Sequence, residues 1–139
     1  MTVISIEPFK SCGPINAGDD YFEIIKRFSD HQDFKKGPLS KFVTSSILSG
    51  NLHVFYSERG SCVGVEVFPP LKPSWDAIDF FFSDLKTINN LFKKRGVKVD
   101  VSDSGLEIPS LGLSLYSHDF NESLCCAIDS VYVDLSKPE

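Results

Sequence analysis

The chain has 139 residues, 42% of them hydrophobic and 24% charged, with a formal net charge of −5. That length and balance suit one globular domain over residues 1–139. The acidic balance argues against nucleic acid as a partner, because phosphate contact needs clustered Lys and Arg, and no apolar run approaches the ~20 residues that span a bilayer.

Residues 2–6 alternate Val3 and Ser5 against Ile4 and Ile6, a short strand stopped by Pro8. Residues 11–18 (SCGPINAG) read as a turn-rich loop. Asp19 and Asp20 then open a helix, with acids at the positive end of its dipole. Tyr21, Ile25 and Phe28 share one face of it, Phe22 and Ile24 widen that face, and the helix is expected to end near Asp30. Residues 31–41 are polar and contain Gly37 and Pro38, so they read as a loop. Residues 41–48 (KFVTSSIL) read as a strand.

Residues 51–68 (NLHVFYSERGSCVGVEVF) carry the clearest pattern. Leu52, Val54 and Tyr56 alternate with His53, Phe55 and Ser57. After the polar turn from Glu58 to Ser61, Val63, Val65 and Val67 alternate with Gly64, Glu66 and Phe68. This is a β-hairpin with an aliphatic face. Three prolines at positions 69, 70 and 73 then suggest a linker, since proline does not continue a ladder.

After the linker comes an apolar segment, residues 75–82. Ser83 and Asp84 provide a helix start. Leu85, Ile88, Leu91 and Phe92 form the buried stripe of a second helix, which ends in Lys93, Lys94 and Arg95 with Gly96 as its C′ residue. Val97, Val99 and Val101 alternate as a strand, and residues 102–105 turn it. Residues 106–109 are extended. Leu111, Leu113 and Leu115 alternate with Gly112, Ser114 and Tyr116. Residues 118–122 are a polar loop, and residues 130–135 are a last strand with Val131, Val133 and Leu135 on one face.

The two halves, 1–70 and 74–139, align loosely. Ile24 falls on Ile88 and Phe28 on Phe92 at one offset, and Tyr56 on Tyr116 at a similar one. Each half reads as a helix and three strands, a candidate tandem αβββ repeat. The expected fold is α+β, an antiparallel sheet with two helices on its aliphatic face. The opposite face would then carry His53, Phe55, Glu66, Phe68, Tyr116, Tyr132 and Asp134, with Ser114 among them. Aromatic residues mixed with acids suit a recognition surface. The competing expectations are a covering loop or strand, or a homodimer contact. Tyr56 fits neither face cleanly and is placed at a sheet edge.

Catalytic and metal signatures are weak. The histidines are His31, His53 and His118, of which the last two lie on or beside matching strands. No GxSxG, P-loop or GxGxxG occurs. The four cysteines, Cys12, Cys62, Cys125 and Cys126, fit no zinc spacing and read as reduced thiols. The Gly-bearing run 13–18 precedes a helix, but Asp19 and Asp20 would repel an anion there. No catalytic residue, metal or cofactor is expected. The N-terminus lacks the basic and apolar regions of a secretory leader, so a cytoplasmic location is expected.

The run GPINAGDDYFEIIKRF, residues 13–28, resembles the opening of small bacterial modules in which a turn leads into a helix and three strands. LEIPSLGLSLYSHD, residues 106–119, and AIDSVYVDL, residues 127–135, are similar to the closing half of tandem forms. Such tandems resemble the β-lactamase-inhibitor-like fold, found among immunity proteins of bacterial polymorphic toxin and contact-dependent growth inhibition systems. The Gly-Met-Thr helix start of the lipoprotein relatives is replaced by Asp19 and Asp20. The resemblance implies a cytoplasmic protein that binds and neutralises a cognate toxin domain without catalysis. A small enzyme or ligand-binding domain, with a pocket between sheet and helices, is the alternative.

Overall fold

The computed structural model describes residues 2–35 and 37–136. Strands β1 (Val3–Glu7), β2 (Ser11–Cys12) and β3 (Ile15–Asn16) lead into helix α1 (Tyr21–Arg27). A meander follows, of β4 (Gln32–Phe34), β5 (Thr44–Ile47), β6 (Leu52–Tyr56) and β7 (Cys62–Val67). Strands β8 (Lys72–Trp75) and β9 (Ile78–Asp79) precede helix α2 (Leu85–Lys94). A second meander closes the chain, of β10 (Asp100–Val101), β11 (Gly105–Ile108), β12 (Leu113–Tyr116) and β13 (Ser130–Asp134).

The two meanders join through an antiparallel β7–β13 pair into one eight-stranded sheet, in the order β10-β11-β12-β13-β7-β6-β5-β4. A smaller sheet runs β3-β2-β1-β8-β9, and its β1–β8 pair is parallel. The fold is therefore α+β. Each helix leads into a four-stranded meander of the large sheet, because β4 and β10 add short edge strands to the three expected.

Alternation decides which side chains meet. Leu52, Val54, Val65, Val67, Leu113, Leu115, Val131 and Val133 are all buried, at 2% exposure or less. They form one apolar cluster with Ile24 of α1, with Leu85, Ile88 and Phe92 of α2, and with Ile4, Ile6 and Ile15 of the small sheet. The helices and the small sheet thus cover one face of the large sheet. Asp84 caps α2, its Oδ1 accepting the Thr87 N–H at 2.8 Å. Hydrogen bonding with the Thr87 side chain, and then with that amide, holds the Asp84 carboxyl below its ordinary value.

Several local expectations are corrected. The stretch 69–73 is not a bare linker, because β8 starts at Lys72. The Lys72 N–H bonds to Thr2 O at 2.9 Å on the β1 side. Strand N–H groups alternate, so the donor that Pro73 lacks would point away from β1. There β9 pairs only with Ser74 and Trp75. The loop 11–18 contains β2 and β3, and the loop 31–41 contains β4. Helix α1 ends at Arg27, where Phe28 turns extended, and only Ile24 of its apolar residues is buried. Phe22 is exposed. The valine run beginning at 97 pairs only through Asp100 and Val101, because β10 is an outer strand with β11 alone beside it.

The central hairpin holds a bulge. Phe55 pairs with Gly64, but Tyr56 pairs with Cys62, so Val63 drops out of register. Cys62 takes the buried place expected for Val63.

Candidate functional site

The strand registers build one continuous row on the sheet face away from the helices. Gln32 pairs with Ser46, Ser46 with His53, His53 with Glu66, and Glu66 with Tyr132. Tyr132 pairs with Ser114, Ser114 with Glu107, and Glu107 with Asp100. A second row places Phe55 opposite Gly64 and Gly64 opposite Asp134. These two rows contain four carboxylates, Glu66, Glu107, Asp100 and Asp134, and no Lys or Arg.

The structure puts His53, Phe55, Glu66, Phe68, Tyr116, Tyr132 and Asp134 on strands of this sheet, or just past one, with all seven half-buried. They form two groups. His53 lies between Phe34 and Phe68, at ring-centroid distances of 5.3 and 4.8 Å. Phe55 packs on Tyr132 at 5.8 Å. Glu66 accepts a hydrogen bond from Ser130 Oγ at 3.0 Å. Tyr116 lies further along β12, opposite Ser130 and Gly105.

Gly64 explains the pose of Tyr132. A Cβ added at Gly64 would lie 2.0 Å from Tyr132 Oη and 2.6 Å from Cζ, so the phenol lies across β7 where a side chain would otherwise stand. Burial raises the Tyr132 hydroxyl pKa to about 12, and the Asp134 carboxylate adds to the shift. The group is therefore a neutral phenol at physiological pH. On the far side of Tyr132 a groove of about 430 Å³ opens over β12 and β11, lined by Tyr132, Tyr116, Ser114, Glu107 and Asp134 among others.

Accessibility is uneven along the sheet. Thr44, two residues from Ser46 on β5, is buried at 4% exposure. Ser46 itself is half-buried, and the row ends in exposed residues on both sides, Gln32 on β4 and Glu107 on β11.

Sequence alternation missed two features. Glu107 belongs to the row, and its place between buried Leu106 and Ile108 was the available signal. The second feature lies toward β4, where Tyr56, on the inner strand β6 and not at the expected sheet edge, joins a polar network. Tyr56 Oη donates to Ser45 Oγ at 2.9 Å, and Ser45 Oγ donates to Asp33 Oδ1 at 2.9 Å. The Tyr21 hydroxyl donates to Asp33 Oδ2. Tyr56 also packs on Tyr21 and Phe42, each at 5.4 Å. This network ties α1 to β4, β5 and β6. The hydrogen bond to Asp33 raises the Tyr21 pKa to about 12.

The remaining candidates are not brought together. His53 on β6 and His118 beyond β12 are three strand spacings apart, roughly 14 Å or more. Among the described residues, no group of three or more His, Cys, Asp and Glu could hold a metal. The loop before α1 is filled by its own groups. Asp19 Oδ2 accepts the Asn16 N–H at 2.9 Å and pairs with Arg27 at 3.1 Å, and Arg27 donates to Pro14 O at 3.0 Å. All four cysteines are free thiols, and burial raises the pKa of Cys12 and of Cys62 to about 12. No described helix is long and apolar enough to cross a membrane. No protein-family model, no curated protein and no solved structure matches the chain.

Proposed function

We propose that this protein is an immunity-type binder that neutralises a cognate bacterial toxin domain by docking it, without catalysis, on the sheet face centred on Tyr132. The observation that carries this reading is the pair of rows across that face, aromatic and acidic and devoid of Lys or Arg. Large half-buried rings supply contact area at low conformational cost. A face of one charge sign favours a basic partner and speeds its encounter. The resemblance of residues 13–28, 106–119 and 127–135 to immunity modules supplies the toxin class. The layer between the large sheet and the helices is filled by Ile24, Leu85, Ile88 and Phe92, each at 0% exposure, which speaks against a substrate pocket there.

The test is co-expression with the toxin domain encoded beside this chain's gene. The expected result is restored growth, a stable stoichiometric complex, and a toxin whose mass is unchanged after release from it. Protection without a complex, or a toxin released with altered mass, contradicts the reading, the second in favour of an enzyme.

A further inference from the structure

We infer that the groove beside Tyr132 is a receptor for a single arginine side chain presented by the protein partner, with Tyr132 and Tyr116 as its aromatic walls and Glu107 and Asp134 as its anionic rim. This deepens the proposed function and rests on the docking of a basic partner. Three independent features meet in the groove. The first is its size, about 430 Å³, which holds an extended side chain and its hydration. The second is its lining. Two half-buried tyrosines offer π faces, on which a guanidinium stacks better than a compact ammonium does. Ser114 on the floor adds a hydroxyl that can accept from it.

The third feature is charge. Asp134 Oδ1 is engaged, accepting from the Ser136 N–H at 2.8 Å and from Ser136 Oγ at 2.6 Å. Those bonds engage Oδ1 and fix the carboxylate at the rim. Glu107 lies on the outward side of β11 and is exposed. No Lys or Arg lines the groove. Two carboxylates beside two aromatic walls match the flat, forked and permanently charged guanidinium.

The groove owes its shape to Gly64. Because Tyr132 lies over that glycine and packs on Phe55, its ring is drawn toward β7 and away from β12. A side chain at 64 would push the ring back.

The experiment uses the full chain, labelled for amide NMR, and a capped Gly-Arg-Gly peptide as probe, with Gly-Lys-Gly and Gly-citrulline-Gly peptides for comparison. The expected result is saturable shifts at Ser114, Tyr116, Tyr132 and Asp134 with the arginine peptide, weaker ones with lysine, and none with citrulline, which keeps the shape and loses the charge. The Glu107→Gln, Asp134→Asn double variant keeps acceptors for Ser136 and should bind roughly three- to tenfold more weakly. Its unfolding midpoint, measured alongside, should match the parent's. Absence of saturable shifts, or equal binding of citrulline, overturns the inference. So does undiminished arginine binding by the folded double variant. If the arginine peptide fails while the toxin domain still binds, only the groove assignment falls. If the peptide binds and the toxin domain does not, only the proposed function falls.

Discussion

Replacing Gly64 by Ala isolates the packing on which the site depends. Gly64 pairs with Phe55 on one side and Asp134 on the other within the sheet, so its backbone accepts alanine. Alone, the change should stabilise the strand by roughly 0.5–1 kcal/mol. The new methyl, however, would stand 2.0 Å from Tyr132 Oη, 2.6 Å from Cζ and 3.0 Å from Cε1. Comfortable carbon contacts lie near ~3.5–4 Å, so the ring must move by more than an ångström. Leaving Phe55 forfeits about 0.5–1.5 kcal/mol of ring packing, and forced repacking adds about 1–3 kcal/mol. The expected net loss is about 1–3 kcal/mol. With ~2.1 cal/mol/K of unfolding entropy per residue, that lowers Tm by roughly 3–10 °C. The assay is a double-mutant cycle with Tyr132→Ala, followed by urea and thermal unfolding. Without the ring, Gly64→Ala should be neutral or slightly stabilising. An equal loss in both backgrounds would refute the account of Tyr132.

Phe92→Ala removes a fully buried ring that packs on Trp75 and Phe80, at 5.8 and 6.5 Å, and should lower stability by about 3–5 kcal/mol in denaturant titration. Tyr21→Phe deletes the donor to Asp33 at a largely solvated site and should lower stability by about 1 kcal/mol or less. The Tyr21 pKa is raised from 10.0 to about 12, so its contribution is complete below pH 10 and lost as pH rises toward 12. Unfolding of the Tyr21→Phe variant should therefore depend less steeply on pH across that window than unfolding of the parent. In the native protein a thiol reagent should modify exposed Cys125 promptly, while Cys12, Cys62 and Cys126 react only on unfolding, as peptide mapping would show.

The face assignment was legible because period-2 alternation is enforced wherever one side of a strand is buried. Leu52, Val54, Val65 and Val67 are buried as their spacing requires, and His53, Phe55 and Glu66 fall on the other side. Alternation failed at Val63 because a bulge is invisible to it, and one extra residue moved Cys62 into the core. The short strands β2, β3, β4 and β8 were hidden for a different reason. Two to four residues rich in Ser, Asn, Gln or Pro carry little strand propensity, and β8 in addition pairs with a strand distant in sequence, Val3 with Lys72. The Asp33 network was unreadable on the same ground, since Tyr21, Asp33, Ser45 and Tyr56 meet only once β4 has paired with β5. The groove needed both levels. Alternation put Tyr116, Tyr132 and Asp134 on one face, but its shape comes from a ring leaning over Gly64.

The most direct test of the central claim is the affinity of the toxin domain for Tyr132→Ala and Phe55→Ala, measured by titration calorimetry on variants whose unfolding midpoints are recorded first. Each truncation removes a half-buried ring at the middle of the proposed interface and should weaken binding by about 2 kcal/mol or more, roughly thirtyfold, in a protein that stays folded. Unchanged affinity in folded variants would contradict docking on this face. Collapse of the fold in both would instead show that these rings belong to the core.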